Sequence, residues 1–386
     1  MSSVFDADRP EQVRQLFEHH LDEGLHHGGQ LAVYQGGELV IDEAGGVSAP
    51  DPESDDDPQP ERTTAETRHL LFSCTKPYAA ACLHHLVDTS DLRYDDRVVD
   101  HWPEFADSGT EKATVTVRHV LSHQAGLPVS PVDGEPDLWT DWDAVVEAIE
   151  EMDCAFTPGE TAAYHALTFG FLVGELVRRC SGTPVGEYAR RHVFDPLGMG
   201  RTSIGLPDDV PAADVATLAG FEPGERCRTS AAGLEGISND DAAALFNRES
   251  IQRAVIPAST GVGTAREMGR FYACLANGGE LDGTRLLSET VVDEATSLQV
   301  AVERDETMGV PRRYALGFER GGTPWDKYGT IGPRTVFGHG GLGSCVGWAD
   351  PEADLAMAYV TNGVRDEYEH AARVNAMADA VRVAFG

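Results

Sequence analysis

At 386 residues the chain is long enough to bury a large core, and its length allows two or three domains. Its 64 Asp and Glu against 30 Lys and Arg give a formal charge of −34, which repels nucleic acid and anionic membranes and excludes both as partners. With 41% hydrophobic residues it is a folding chain, and seven scattered cysteines without a Cys-x-x-Cys pair exclude a disulfide framework and point to a reducing compartment.

High acidity with arginine preferred over lysine looks like salt adaptation, since concentrated salt screens the self-repulsion of so many carboxylates. The start, Met1-Ser2-Ser3-Val4-Phe5-Asp6, has no basic region followed by an apolar one, and no run approaches membrane-spanning length. The expectation is therefore no signal peptide and a cytoplasmic location.

Pro10 to Leu25 predicts an amphipathic helix, with Val13, Leu16, Phe17 and Leu21 at helical spacing. Gln30–Tyr34 and Glu38–Ile41 flank Gln35-Gly36-Gly37 as strand, turn and strand. Ala49 to Glu61, rich in proline and acid, reads as a solvated loop. From residue 73 to about 255 the pattern is helix and loop: a helix opening near Ser73, a short one through His123 ended by Gly126 and Pro128, then Asp143–Met152, Leu167–Cys180 and Tyr188–Phe194. Near Pro257 the pattern changes. Gly261–Ala265 leads a helix through Leu275, and strand signals return at Tyr314–Phe318, Thr335–Phe337, Cys345–Trp348 and Leu355–Val360, the last two joined by an Asp350–Asp354 hairpin. A final helix covers Glu367 to Phe385. Strands, then helices, then strands give an α+β expectation: a mixed domain from residues 1–72 and 256–386, and a mainly helical domain from 73–255 inserted between.

The chemistry concentrates at Phe72-Ser73-Cys74-Thr75-Lys76-Pro77. Pro77 is tolerated only in a first helical turn, where its missing N–H has no intrahelical partner, so the helix starts at or next to Ser73. Ser73 and Lys76 then share one face, about 5–6 Å apart at Cβ. A serine hydroxyl is a weak nucleophile until a base takes its proton, and a desolvated lysine can be that base. Lysine is scarce here, occurring as Lys76, Lys112 and Lys327. Further groups are needed to carry protons and hold the oxyanion. Tyr164 precedes an apolar helix, where a packed tyrosine is the plainer reading, and His339 sits in Phe337-Gly338-His339-Gly340-Gly341-Leu342-Gly343.

Other chemistries fail on context. Gly338 to Gly343 matches Gly-x-Gly-x-x-Gly, but a strand and hairpin follow where a dinucleotide site needs a helix; the glycines read better as a strand whose backbone lies against substrate. His119 and His123 have i, i+4 spacing without the glutamate of a zinc-protease helix, so no metal is expected. Gly236-Ile237-Ser238-Asn239-Asp240 fails the nucleophile-elbow pattern at its final position.

Phe72–Lys76, Leu121–Pro128, Phe156–Glu160 with Tyr164-His165, and His339-Gly340-Gly341 occur together in an order that resembles the serine β-lactamase-related hydrolases, especially class C β-lactamase-like enzymes called family VIII carboxylesterases. The likeness runs from about Gln30 to Asn362. It implies the β-lactamase/transpeptidase-like fold: an antiparallel sheet flanked by terminal helices, with an inserted all-helical domain and the active site at the interface. It implies Ser73 as acylated nucleophile, Lys76 as the residue lowering its proton affinity, Tyr164 as general base with the lysine, and His339 on the strand beside the site. The backbone N–H groups of Ser73 and Leu342 would form the oxyanion hole, and His165, Gly340 and Gly341 would contact substrate. No cofactor is implied. Many relatives carry Tyr-x-Asn, whereas Ala166 stands at the third position here, and His339 replaces the lysine of Lys-Thr-Gly. Both departures favour esters over β-lactams. The expected reaction is cleavage of a small-molecule ester or amide through an acyl-Ser73 intermediate. The alternatives are a β-lactamase or D-amino-acid peptidase on the same scaffold, or a binding protein that has lost turnover.

Overall fold

The protein is described by a computed structural model covering residues 9–49, 61–221 and 237–386. All but the ends of the predicted Ala49–Glu61 loop lies outside these residues, as does part of the 73–255 stretch predicted to be helix and loop.

One eight-stranded antiparallel sheet organises the fold. Its strands are β1 (Gly28–Gln35), β2 (Glu38–Gly46), β3 (Val300–Val302), β4 (Arg312–Tyr314), β5 (Glu319–Arg320), β6 (Phe337–Gly341), β7 (Cys345–Asp350) and β8 (Leu355–Thr361). The order is β2-β1-β8-β7-β6-β5-β4-β3, so strands from the two ends of the chain lie side by side within it. β1 pairs with β8 from Gly29–Thr361 to Gln35–Leu355.

Alternation along the strands builds two layers, because successive side chains point to opposite faces. Leu31 and Val33 of β1, with Met357 and Tyr359 of β8, meet Val13 and Phe17 of helix α1 (Arg9–Asp22) and Val374, Met377 and Val381 of the C-terminal helix Glu367–Phe385. Each such side chain withdrawn from water contributes about 1.5–3 kcal/mol. Ala32 and Tyr34 point to the other face and join the larger core. That face carries α2 (Lys76–Thr89), α3 (Thr168–Ser181) and α4 (Ala265–Ala276). The C-terminal helix, now α5, starts where predicted because the Asp366 side chain accepts the Tyr368 and Glu369 N–H groups, a cap worth about 1 kcal/mol.

The α+β expectation therefore matches the architecture. Two strand expectations need correction. Tyr314–Phe318 is the turn between β4 and β5, since Gly317 takes a left-handed φ of 81° and reverses the chain. The strand expected at Thr335–Phe337 begins at Phe337 and runs through the glycines to Gly341. Short strands at Ser203–Ile204 and Ala219–Gly220 also interrupt the stretch predicted to be helix and loop. No helix among the described residues is long and apolar enough to cross a membrane.

Candidate active site

Ser73 lies where the helical block meets the sheet. Phe72–Thr75 forms one tight 3-10 turn that runs directly into α2, with Pro77 in the first turn of that helix. Phe72 has φ 46°, a left-handed backbone that bulky residues avoid and that persists when its surroundings over-determine it. Those surroundings are specific. The Phe72 ring meets Phe246 edge-on at 5.0 Å, and the Phe72 carbonyl accepts the Thr75 hydroxyl at 2.6 Å. The Thr75 hydroxyl oxygen in turn accepts the Gly261 N–H at 2.8 Å. Two thiols tie the turn to the sheet: Cys74 Sγ donates to the His339 carbonyl at 3.1 Å, and Cys345 Sγ donates to the Leu71 carbonyl at 3.0 Å.

Lys76 is wholly buried, with Nζ 3.0 Å from Ser73 Oγ, 2.8 Å from the Ala166 carbonyl and 3.1 Å from the Ala258 carbonyl. Burial brings its pKa down from 10.5 to about 7, against an opposing pull from the Glu319 carboxylate. The Tyr164 ring lies 4.8 Å from Lys76 Nζ, and the Ser73 side chain is the polar neighbour that works against the effect of burial on its phenol. Burial pushes the Tyr164 phenol well above its usual range, so it holds its proton at neutral pH. Of the pair, the lysine is the member suited to accept a proton, and the tyrosine the one suited to pass one along.

His339 is buried on β6 with its ring 6.0 Å from that of Tyr164. Its Nδ1 donates to the Gly340 carbonyl at 2.7 Å, which leaves Nε2 as the acceptor, and Nε2 has no protein partner among the described residues. Burial lowers its pKa to about 4, so the ring is neutral.

Three further residues, His165, Gly340 and Gly341, were expected to contact substrate. His165 spends both ring nitrogens on the main chain: Nδ1 donates to the Ala163 carbonyl at 2.6 Å, and Nε2 accepts the Leu127 N–H at 3.1 Å. With no exposed surface, its ring braces the loop that carries Tyr164. Gly340 packs against Lys327, because a Cβ there would stand 2.6 Å from Cδ of that side chain. A Cβ on Gly341 would stand 2.6 Å from the Leu71 carbonyl and 2.4 Å from Cys345 Sγ. The glycines thus let β6 lie close against the turn that carries Ser73 and against the Lys327 side chain. This close approach sets Leu342, next in the chain and partly buried, beside the turn that carries Ser73.

Several residues escaped sequence reasoning. Glu319 is a buried carboxylate on β5, the strand beside β6. Burial alone would raise its pKa, but Arg312, with His339 and Lys327, outweighs it and holds the group at about 2. The Tyr328 hydroxyl donates to it at 3.3 Å, and Lys327 itself pairs with Glu367 at 2.5 Å. The available signal is a carboxylate, Glu319, and an arginine, Arg312, flanking the apolar run Tyr314–Phe318. Among the described residues no three His, Cys, Asp or Glu side chains converge as a metal site.

Comparison with known proteins places this geometry. The family profile described as Beta-lactamase matches residues 13–382. The chain is 35% identical over 317 residues to "Esterase/beta-lactamase LipL" of Mycobacterium tuberculosis, covering 78% of this chain and 70% of that protein. A solved penicillin-binding protein homolog from Caulobacter crescentus superposes with a TM-score of 0.79 at 33% identity, covering 98% of both chains. A solved family VIII carboxylesterase superposes with a TM-score of 0.79 at 29% identity, covering 96% of this chain and 97% of that one.

Proposed function

The chain belongs to the beta-lactamase family, among its esterase and β-lactamase-like serine hydrolases, and from that footing we propose that it cleaves carboxylic esters through a covalent acyl-Ser73 intermediate. The observation that carries this reading is the buried Lys76 amine, brought to about pH 7 and held 3.0 Å from the Ser73 hydroxyl. A base poised near the working pH is what proton transfer requires. Neutral Lys76, with Tyr164 beside it, takes the Ser73 proton as Oγ attacks the ester carbonyl. The N–H groups of Ser73 and Leu342 hold the oxyanion, a donor pair of the kind worth about 10²–10³ in rate per donor. Collapse of the tetrahedral adduct breaks the bond to the alkoxide, which leaves with the proton relayed by Tyr164. Water then attacks the acyl-serine by the same path in reverse, and Ser73 recovers its proton.

Ala166 supports esters over β-lactams. Its side chain has no amide to grip a substrate amide, and its carbonyl is already engaged by Lys76. The resemblance of the chain to an esterase/β-lactamase and to a carboxylesterase agrees with this preference. In this reading residues 1–72 with 256–386 supply the sheet side of the cleft, and 73–255 the helical side.

Treatment with a fluorophosphonate, followed by mapping of the adduct, tests the nucleophile; labelling elsewhere than Ser73 refutes it. p-Nitrophenyl butyrate, nitrocefin and a D-alanyl peptide compared on one preparation test the substrate class, which is wrong if the ester is the poorest of the three. Equal ester hydrolysis by wild type and Ser73→Ala would instead mark a scaffold without turnover.

A further inference from the structure

Three consecutive main-chain N–H groups around Tyr164 are each taken by an acceptor from elsewhere in the chain. Ala163 N–H donates to the His123 carbonyl at 3.0 Å. Tyr164 N–H donates to Asp305 Oδ1 at 3.0 Å. His165 N–H donates to His123 Nδ1 at 3.0 Å. His123 thus grips the chain on both sides of Tyr164, and Asp305 grips Tyr164 itself.

Side chains close the arrangement into a ring. The His123 imidazole lies 4.8 Å from the Tyr164 ring and 4.7 Å from the Tyr314 ring, centroid to centroid. The Tyr314 hydroxyl donates to Asp305 Oδ2 at 2.9 Å. Asp305 Oδ1 also accepts the Thr307 and Met308 N–H groups at 2.9 and 2.8 Å, which fixes the carboxylate on its loop. Asp305 has no exposed surface, and His123 is buried. His123 also holds φ 61°, a left-handed conformation that places its carbonyl and its ring on opposite flanks of Tyr164.

We propose that His123 and Asp305 are positioning residues that set where the Tyr164 hydroxyl meets Ser73, an inference that rests on Tyr164 carrying protons in the reaction. The phenol stands at the end of a long side chain, so a shift of its backbone moves the hydroxyl out of reach of Ser73. A displacement of about 1 Å at reacting groups costs about 100-fold in rate. The clamp needs His123 in one form, with Nδ1 bare and the proton on Nε2. Burial, and then the positive neighbours, keep the ring neutral, whereas an imidazolium would aim Nδ1–H at the His165 N–H.

The test uses paired substitutions in the full chain, with p-nitrophenyl butyrate as substrate. His123→Leu removes the acceptor, whereas His123→Asn restores an oxygen near the Nδ1 position on a residue that tolerates left-handed backbone. Asp305→Leu removes both acceptors, whereas Asp305→Asn keeps one for the Tyr164 N–H. The leucine variants are expected to lose about 100-fold in kcat with KM little changed, and the asparagine variants to recover most of it. In a Tyr164→Phe background His123→Leu should cost nothing further, because the positioned hydroxyl is already gone. Tyr314→Phe, a milder change that only releases Asp305 Oδ2, should lower kcat several-fold if a leucine variant fails to fold. Unchanged kcat in folded variants, or a full additive loss in the Tyr164→Phe background, overturns the clamp. The esterase reading fails separately, through Ser73→Ala retaining activity.

Discussion

The hydrogen bond between Lys76 Nζ and Ser73 Oγ, 3.0 Å long, reverses its direction with the charge on the amine. As an ammonium, Lys76 sends one hydrogen each to Ser73 Oγ, the Ala166 carbonyl and the Ala258 carbonyl. As a neutral amine it keeps two hydrogens on the carbonyls, and its lone pair turns to the Ser73 hydroxyl. The two carbonyls thereby orient the base.

The first prediction is a pH profile. Lys76 must be neutral to accept the proton, and its pKa lies near 7, so kcat/KM should fall as pH drops below about 7 and level off above it. Lys76→Met should lose about 10²–10⁴ in kcat, the usual worth of a general base, and Lys76→Arg, which stays charged, should do no better. An acid limb far from neutrality in a stopped-flow profile of wild type would rule out Lys76 as the base.

Glu319 supplies the second prediction. Its charge opposes the lowering of the Lys76 pKa, so Glu319→Gln should move the acid limb of the profile to lower pH. Removing it also takes from the buried Arg312 its foremost negative neighbour, which should lower stability in urea unfolding. In wild type the carboxyl is held down at about 2 against its usual 4.5. Its stabilisation is therefore complete above about pH 4.5 and is lost as the pH falls from there toward 2.

What could be read from sequence was local. The Ser73–Lys76 spacing, the alternation in Gln30–Tyr34 and Leu355–Val360, and the final helix depend on neighbours a few positions away, and all appear in the structure. Glu319, Arg312 and Asp305 were missed because each acquires its role from partners distant in sequence, such as Asp305 with Tyr164. The setting of His165 was hidden for a related reason. Adjacency to Tyr164 brings it near the site, but the Leu127 and Ala163 backbone decides where its ring points. The two-residue strands at Ser203–Ile204 and Ala219–Gly220 are too short to show any period.

Gly341→Ala is the third prediction. The added methyl meets the Leu71 carbonyl and Cys345 Sγ, so β6 must retreat from the nucleophile turn. Overpacking of this kind costs about 1–3 kcal/mol, and the retreat displaces Leu342, so kcat should fall more than KM rises. Thermal unfolding and ester kinetics on the same preparation would check both halves.

Arg373 on α5 gives the fourth. Its Nη2 donates to the Gly343 and Ser344 carbonyls at 3.2 and 3.3 Å, and Nη1 to the Leu25 carbonyl at 3.3 Å. Arg373→Met removes these charged donors, while each carbonyl keeps a second one from Arg365 or Thr361. It should therefore cost about 1.5–3 kcal/mol, the worth of a charge-assisted hydrogen bond, and loosen the turn after Leu342. The expected signature is a lower melting temperature together with slower fluorophosphonate labelling of Ser73. Labelling at the wild-type rate would show that the turn holds without it.

The pairing of β1 with β8 also governs the order in which the molecule can be made. The Gly28 N–H finds its acceptor on Asn362, 334 positions away, so the partners leave the ribosome near opposite ends of synthesis. Until then β1 and β2 form a lone two-stranded hairpin, marginal in water, with one long apolar edge unpaired. Closure through such distant contacts is slow, and the waiting edge is the natural template for aggregation. The Phe72–Thr75 turn waits on the same late strands, because Gly261, the His339 carbonyl and Cys345 are among the groups that hold it.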